Sequence, residues 1–516
     1  MLVLPDKKKI VIDSSLNDDL LAVIPHAKKL QYEGKDMVAM DYGVEEAIVL
    51  KNMGLTVPAP IEHYYDWPAR FTPMEHQKAT ASFLTMNKKA LCLNAPGTGK
   101  SISSLWAADF LLEQGLVNKV LIIAPLSTLK PVWGTELRHH LSHRSFEIIT
   151  GTKQKRIKLL KKPGLQYAII NHDGFTNMKD ELADYDLVIY DEATALKTPG
   201  AIRFKTFFSW VKARPNLWLW MLTGTPISQS PVDAWTLARL VSSSTVPTSY
   251  TFFKDKVMKK VSQFKWVPRE DALETCKKVL QPSIRFSLNE CKDLPELNYV
   301  YRDAVMSKPQ QKAFDEMRKK SMTVLNGGEV SAANAAVMLS KLLQICCGVV
   351  YGQDDSFVID SDGRYNILTG LLEEIGDKAI IFVPLKGVQK HLLERLEKDK
   401  ISVALVNGDV GKAERDEIFY NFQHTDEPRV LLAHPRVAAH GLTLTRAKDI
   451  IWYAPIYSLE QYEQANARIR RLSTEGKTNI WHIAATSFER VLYTRLKNKQ
   501  NTLTEFLQLV SGINEE

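Results

Sequence analysis

Two short stretches of this chain hold the residue types needed to handle a phosphate anhydride and a divalent cation. The first, Asn94-Ala95-Pro96-Gly97-Thr98-Gly99-Lys100-Ser101, follows an apolar run and leads into a helical pattern over residues 102–112. Gly97 and Gly99, flanking Thr98, let backbone N–H groups approach an anion closely. Lys100 then reaches the β- and γ-phosphates, and Ser101 offers a hydroxyl to Mg2+. Asn94 stands where the G-x-x-x-x-G-K-S pattern has its first Gly, and an ordinary strand-to-helix turn is the alternative for so short a match. The second stretch, Asp191-Glu192-Ala193-Thr194, closes another apolar run. Carboxylates ending a buried strand are costly unless they meet a cation or protons. Asp191 suits the Mg2+ shell, and Glu192 suits orienting or deprotonating an attacking water. Favourable charges opening a helix are the alternative.

Two further groups extend this chemistry. Gln77 precedes a helical pattern and offers both a donor and an acceptor to an adenine edge. In Gln464-Ala465-Asn466-Ala467-Arg468-Ile469-Arg470-Arg471, Arg468 and Arg471 share a face if the segment is helical. Two guanidinium groups at a γ-phosphate supply the charge stabilisation of an arginine finger; a solvated basic helix is the other reading. These arginines lie far along the chain from the phosphate loop. If both serve one ATP, the nucleotide sits between two lobes, and hydrolysis changes their relative position.

The elements that must position these groups follow from hydropathy. Residues 1–65 alternate short strands (9–13, 37–40) with a helical stretch (44–53) and end in a Pro-rich exit. Residues 66–245 carry apolar runs at 90–94, 120–124, 167–170, 187–190 and 217–222, separated by helix-length segments. Such runs predict parallel strands buried on both faces. Residues 246–364 read as helical and basic, and the α/β rhythm returns over 365–516, with runs at 379–383, 403–406, 430–433, 450–453 and 480–484. The expected architecture is an α/β fold: two parallel-sheet lobes, a helical insertion and a small N-terminal α+β domain.

Composition narrows the classes. No apolar run approaches the ~20 residues of a membrane span, and the N-terminal run breaks at Pro5, so neither a membrane partner nor a secretory segment is expected. Five Cys without a C-x-x-C pair argue against a disulfide framework or a disulfide-linked partner and fit a reducing interior. The formal charge of +8 permits a polyanion partner without demanding one.

Taken in order, the motifs resemble those of the superfamily-two helicase-like ATPases, and within them the Swi/Snf-type double-stranded-DNA translocases. Gln77 resembles the Q motif, Gly97-Thr98-Gly99-Lys100-Ser101 motif I, and Ile123-Ala124-Pro125-Leu126-Ser127 with Trp133 motif Ia. Asp191-Glu192-Ala193-Thr194 is similar to motif II, Leu222-Thr223-Gly224-Thr225-Pro226 to motif III, Gly441-Leu442-Thr443-Leu444-Thr445 to motif V, and Gln464 to Arg471 to motif VI. Departures from the pattern are Thr194 in place of the usual His, and Ala467 in place of Asp.

The resemblance implies two RecA-like lobes of P-loop NTPase type, ATP and Mg2+ as cofactors, and a DNA-dependent ATPase acting on duplex or branched DNA as a monomeric motor. It places Ser127, Thr128, Thr225 and Thr443 along a nucleic-acid phosphate track. The compact form is similar to bacteriophage and bacterial members, which implies the cytoplasm, or a host cytoplasm. Two competing functions stay open: a strand-separating helicase on DNA or RNA, and an ATP-gated DNA-binding module without productive turnover. Residues 1–65 resemble the substrate-recognition module of annealing-type members, with a structural cap as the alternative. The basic segment 153–162 suits a DNA-facing patch or a solvated helix equally.

Overall fold

The computed structural model describes residues 1–13, 17–24, 26–32, 34–227, 230–261, 266–287, 290–291, 297–326, 332–351, 356–438, 444–469 and 477–498. They fall into two units, Met1–Cys291 and Lys292–Glu516.

The first unit opens with an antiparallel sheet of β1 (Leu2–Leu4), β2 (Lys9–Ile12), β3 (Lys28–Tyr32) and β4 (Lys35–Asp41), in the order β1-β2-β4-β3. A seven-stranded parallel sheet follows. Its strands are β5 (Lys89–Cys92), β6 (Val120–Ala124), β7 (Phe146–Ile148), β8 (Tyr167–Asn171), β9 (Leu187–Asp191) and β10 (Trp218–Leu222). The edge piece Ser283–Ile284 completes the spatial order Ser283–Ile284, β5, β10, β9, β6, β8, β7.

Successive side chains on a strand point to opposite faces, and the core divides accordingly. Ala90, Val120, Ile122, Ile189 and Trp220 share one buried cluster, whereas Leu91, Leu121, Ile123, Val188 and Met221 belong to another. Helices on both faces cover these runs, as a parallel sheet requires. Trp210, Trp218 and Trp220 are all buried here, as packing rather than base stacking predicts.

Ile10, Ile12, Val38 and Met40 of the N-terminal sheet lie in the same cluster as Leu105, Trp106 and Phe110 of the helix Lys100–Glu113. Among the charges of that sheet, Lys9 pairs with Asp41 at 2.6 Å and Lys29 with Asp18 at 2.9 Å.

The second unit repeats the parallel plan. Its sheet runs Leu297–Asp303, Thr478–Ala484, Asp449–Trp452, Ala379–Phe382, Val430–Ala433, Val403–Val406. Residues 246–364, read from sequence as helical, do contain the helices Lys308–Asn326 and Ala332–Cys346. They also supply one edge strand to each sheet, Ser283–Ile284 and Leu297–Asp303. Edge strands are short or only half-covered, so they lack the continuous apolar run that marks a central strand.

No helix among the described residues is long and apolar enough to cross a membrane.

Candidate active site

The parallel register decides which loops meet. Leu222 of β10 pairs with Cys92 on one side and with Asp191 on the other. With strands spaced about 4.8 Å apart, the ends of β5 and β9 therefore lie about 10 Å apart across one intervening strand. The phosphate loop, the Thr223–Thr225 turn and the Asp191–Glu192 step all leave the same carboxyl edge of one sheet. The 125–128 loop leaves it too, since Ile123 of β6 pairs with Tyr190. This edge is where ligands bind in open α/β sheets.

The phosphate loop has the backbone its glycines promised. Gly97 and Gly99 sit at φ +86° and +85°, the left-handed region that other residues enter only with strain. The helix Lys100–Glu113 starts at Gly99, so its unsatisfied N–H groups and the positive end of its dipole face the loop. A Cβ at Gly99 would strike the Gln77 amide, whose Cδ would stand 3.2 Å away.

Gln77 is 1% exposed, and its Oε1 accepts the Met74 N–H at 3.1 Å, so here its side chain caps its own helix. Lys100 donates to the Asn94 and Ala95 carbonyls at 2.9 and 3.2 Å, folding over the loop where phosphate oxygens would compete for its ammonium. Thr98 is buried, and its hydroxyl donates to the Ala95 carbonyl at 2.8 Å. Ser101 lies in the first turn of the helix, half-buried. Beneath the loop, burial pushes the Cys92 thiol up to about 11, with Lys100 acting in the opposite direction.

Asn94 departs from the glycine pattern for a structural reason. Its Nδ2 donates to the Thr80 hydroxyl at 2.8 Å and its Oδ1 accepts the Phe286 N–H at 2.9 Å. The Ala95 N–H in turn donates to the Phe286 carbonyl at 2.9 Å. His76 donates from Nε2 to the Thr98 carbonyl at 2.9 Å. One buried amide thus ties the loop to both its neighbours.

Strand β9 ends at Asp191, and Glu192 breaks it with φ +50° and ψ +57° before the short 3-10 helix Ala193–Leu196. The Asp191 carboxylate accepts the Glu192 N–H on Oδ1 and the Trp133 indole N–H on Oδ2, each at 3.0 Å. His172, stacked on Tyr190 at 4.9 Å between ring centroids, donates from Nε2 to the Asp191 carbonyl at 2.9 Å. Gly224 packs against Pro96 so closely that a Cβ would stand 2.9 Å from its Cδ, which brings the Thr223–Thr225 turn onto the phosphate loop.

Ser127 and Thr225 are half-buried; Thr128 is buried, and its hydroxyl donates to the Pro125 carbonyl at 2.9 Å. Thr443 and Arg471 lie outside the described residues. In the second unit, the helix Leu459–Asn466 ends before Arg468, so the helical spacing considered for the arginines does not apply to it. Arg468 instead occupies the turn beyond, 8% exposed, and its carbonyl accepts the Leu444 N–H at 3.2 Å.

The contacts of four site neighbours escape sequence reasoning: His76, Asn94, Trp133 and His172. Their partners are 22, 192, 58 and 19 residues away, so only the folded register brings them in.

The donor set of Ser101 hydroxyl and Asp191 carboxylate is hard oxygen, which suits Mg2+, and Lys100 beside a left-handed Gly loop suits a nucleotide polyphosphate. The chain matches the SNF2-related domain over residues 74–349 and the helicase conserved C-terminal domain over residues 363–473. Protein p41 of Acyrthosiphon pisum secondary endosymbiont phage 1 is 25% identical, over 83% of this chain and 96% of its own length. The SWI/SNF-related matrix-associated actin-dependent regulator of chromatin subfamily A-like protein 1 of Xenopus tropicalis is 23% identical over 80% of this chain, which spans only 42% of that protein. The Sulfolobus solfataricus SWI2/SNF2 ATPase core, solved in complex with dsDNA, aligns with 86% of this chain at 20% identity and a TM-score of 0.40. The first domain alone matches more than half of the sequence, and the chain belongs to the SNF2-related family of helicase-like ATPases.

Proposed function

We propose that this protein is an ATP-driven translocase on double-stranded or branched DNA. One observation carries the reading: a single sheet edge gathers a left-handed Gly–Lys–Ser loop, the Asp191–Glu192 step and two hydroxyl-bearing loops. The first two suit ATP hydrolysis, and the loops 125–128 and 223–225 suit phosphodiester contact through Ser127, Thr128 and Thr225. Thr443 joins them on motif resemblance alone.

In this reading the Gly97–Ser101 backbone and the helix N-terminus bind the phosphates, with Gln77 at the adenine. Lys100 turns from the Asn94 and Ala95 carbonyls to the β- and γ-phosphates. Ser101 and Asp191 hold Mg2+, which when bound neutralises charge on the phosphate oxygens. Glu192 orients the attacking water and takes its proton. On motif resemblance alone, Arg468 and Arg471 stabilise the charge that develops on the transferred phosphoryl group. Residues 1–65 serve as a structural cap, a reading supported by the core they share with the helix Lys100–Glu113.

The test is ATP turnover with no DNA and with single-stranded, duplex, forked and four-way DNA at one fixed salt concentration. Salt must be held constant because phosphate contacts weaken steeply as it rises. Duplex-containing DNA is expected to stimulate turnover more than single strands do. Stimulation by single strands alone would favour a strand-separating helicase, and an absence of turnover under every condition would favour an ATP-gated binding module.

A further inference from the structure

The Trp133 indole lies at 0% exposure, and its N–H ends on the Asp191 carboxylate. A buried indole N–H needs an acceptor, but packing alone does not require that the acceptor be the carboxylate closing β9. We propose that Trp133 is a positioning residue, whose N–H holds the Asp191 side chain in the orientation from which it binds a divalent cation. The inference rests on Asp191 being a metal ligand.

The backbone shows how Trp133 reaches its partner. Residues Leu129–Gly134 form a π-helical turn, and the Thr128 carbonyl accepts the N–H of both Val132 and Trp133, at 3.1 and 3.2 Å. The extra residue rotates every following side chain relative to an α-helix, and such turns recur at functional sites. Gly134 lets this turn lie against its neighbours: a Cβ there would stand 3.1 Å from Ile148 Cδ1 and 3.3 Å from the Leu129 carbonyl.

Asp191 is thereby oriented at three points: Oδ1 by the Glu192 N–H, Oδ2 by the indole and its carbonyl by His172. Losing a hydrogen bond that orients a metal ligand typically costs roughly 10- to 100-fold in metal affinity.

The test is calorimetric binding of a non-hydrolysable ATP analogue to the full chain, titrated with Mg2+. Trp133→Phe keeps most of the buried ring volume and removes the donor together with the five-membered ring that carries it. It is expected to raise the Mg2+ concentration for half-maximal enhancement of binding roughly 10- to 100-fold, while affinity in EDTA stays at the wild-type value. Trp220→Phe is the control for losing a buried indole N–H, because that group donates to the Asn87 carbonyl at 3.1 Å; the midpoint should not move.

An unchanged midpoint in Trp133→Phe, with a raised one in Asp191→Asn, overturns the positioning role and leaves the metal reading standing. An unchanged midpoint in Asp191→Asn overturns both. If Trp133→Phe does not fold, 5-fluorotryptophan in the otherwise unaltered chain serves instead. One 19F resonance should then move when Mg2+ joins the nucleotide complex and also move in Asp191→Asn; the lack of such a resonance overturns the proposal.

Discussion

Replacing Glu192 with Gln is expected to cut ATP turnover roughly 10²- to 10⁴-fold, the range general acid–base groups contribute, while nucleotide binding stays close to wild type. Gln keeps the shape of Glu and removes the charge that would accept a proton. The backbone supports a chemical rather than a structural reason for an acid at this position. A non-glycine residue at φ +50° costs on the order of 1–2 kcal/mol. Gly or Asn would close β9 with less strain if stability alone mattered. Local strain persists where the surrounding contacts over-determine it, and here Asp191 Oδ1 accepts the Glu192 N–H while His172 and Trp133 hold Asp191. Single-turnover measurement of phosphate release separates the chemical step from binding. Wild-type turnover in the variant would remove Glu192 from the mechanism.

The largest effect on stability is expected from Glu489 in the second unit. Its carboxylate meets the Arg364 guanidinium at 2.5 Å, with both side chains nearly or fully buried. Oε2 also accepts the Ala485 N–H at 2.8 Å, just before the helix whose N-cap, Thr486, accepts the Glu489 N–H on its hydroxyl at 3.2 Å. Arg364 in turn donates to the Tyr453 carbonyl, so one ion pair ties the helices Asp362–Ile375 and Ser487–Lys497 to the sheet.

Glu489→Ala leaves a buried guanidinium without its counter-charge, which costs about 3–5 kcal/mol. At about 2–4 °C per kcal/mol for a unit of this size, the unfolding midpoint should fall by roughly 10 °C. The double change Arg364→Met with Glu489→Leu should recover much of that loss, because removing both charges also removes the desolvation cost. Calorimetry of the wild type and these two variants checks this, and a double variant as unstable as Glu489→Ala would contradict it.

The central strands of both sheets were legible because each is an unbroken apolar run, and alternate residues then sort into separate cores on the two faces. The left-handed Gly loop was legible because Gly–Lys–Ser after such a run has few other uses. The edges of the first sheet were not: β7 has three residues and Ser283–Ile284 two, too few to show a period. Nor was the support of the site legible. Asn94 reads as a lost glycine until its amide is seen bonding Thr80 and Phe286. Trp133 reads only as part of the motif Ia resemblance until the π-helical turn delivers its N–H to Asp191. Such contacts depend on helix phase and sheet register rather than on residue spacing. Arg468 shows the same limit, since a helix end at Asn466 changes which residues share a face.

Translocation along duplex DNA is the central claim, and a triplex-displacement assay tests it most directly. A third strand bound to a plain duplex should be released by the wild-type chain with ATP. It should stay bound with the non-hydrolysable analogue or with the Glu192→Gln variant, and a tailed duplex should remain paired. Retention of the third strand despite full ATP turnover, or separation of the tailed duplex under the same conditions, would contradict the account.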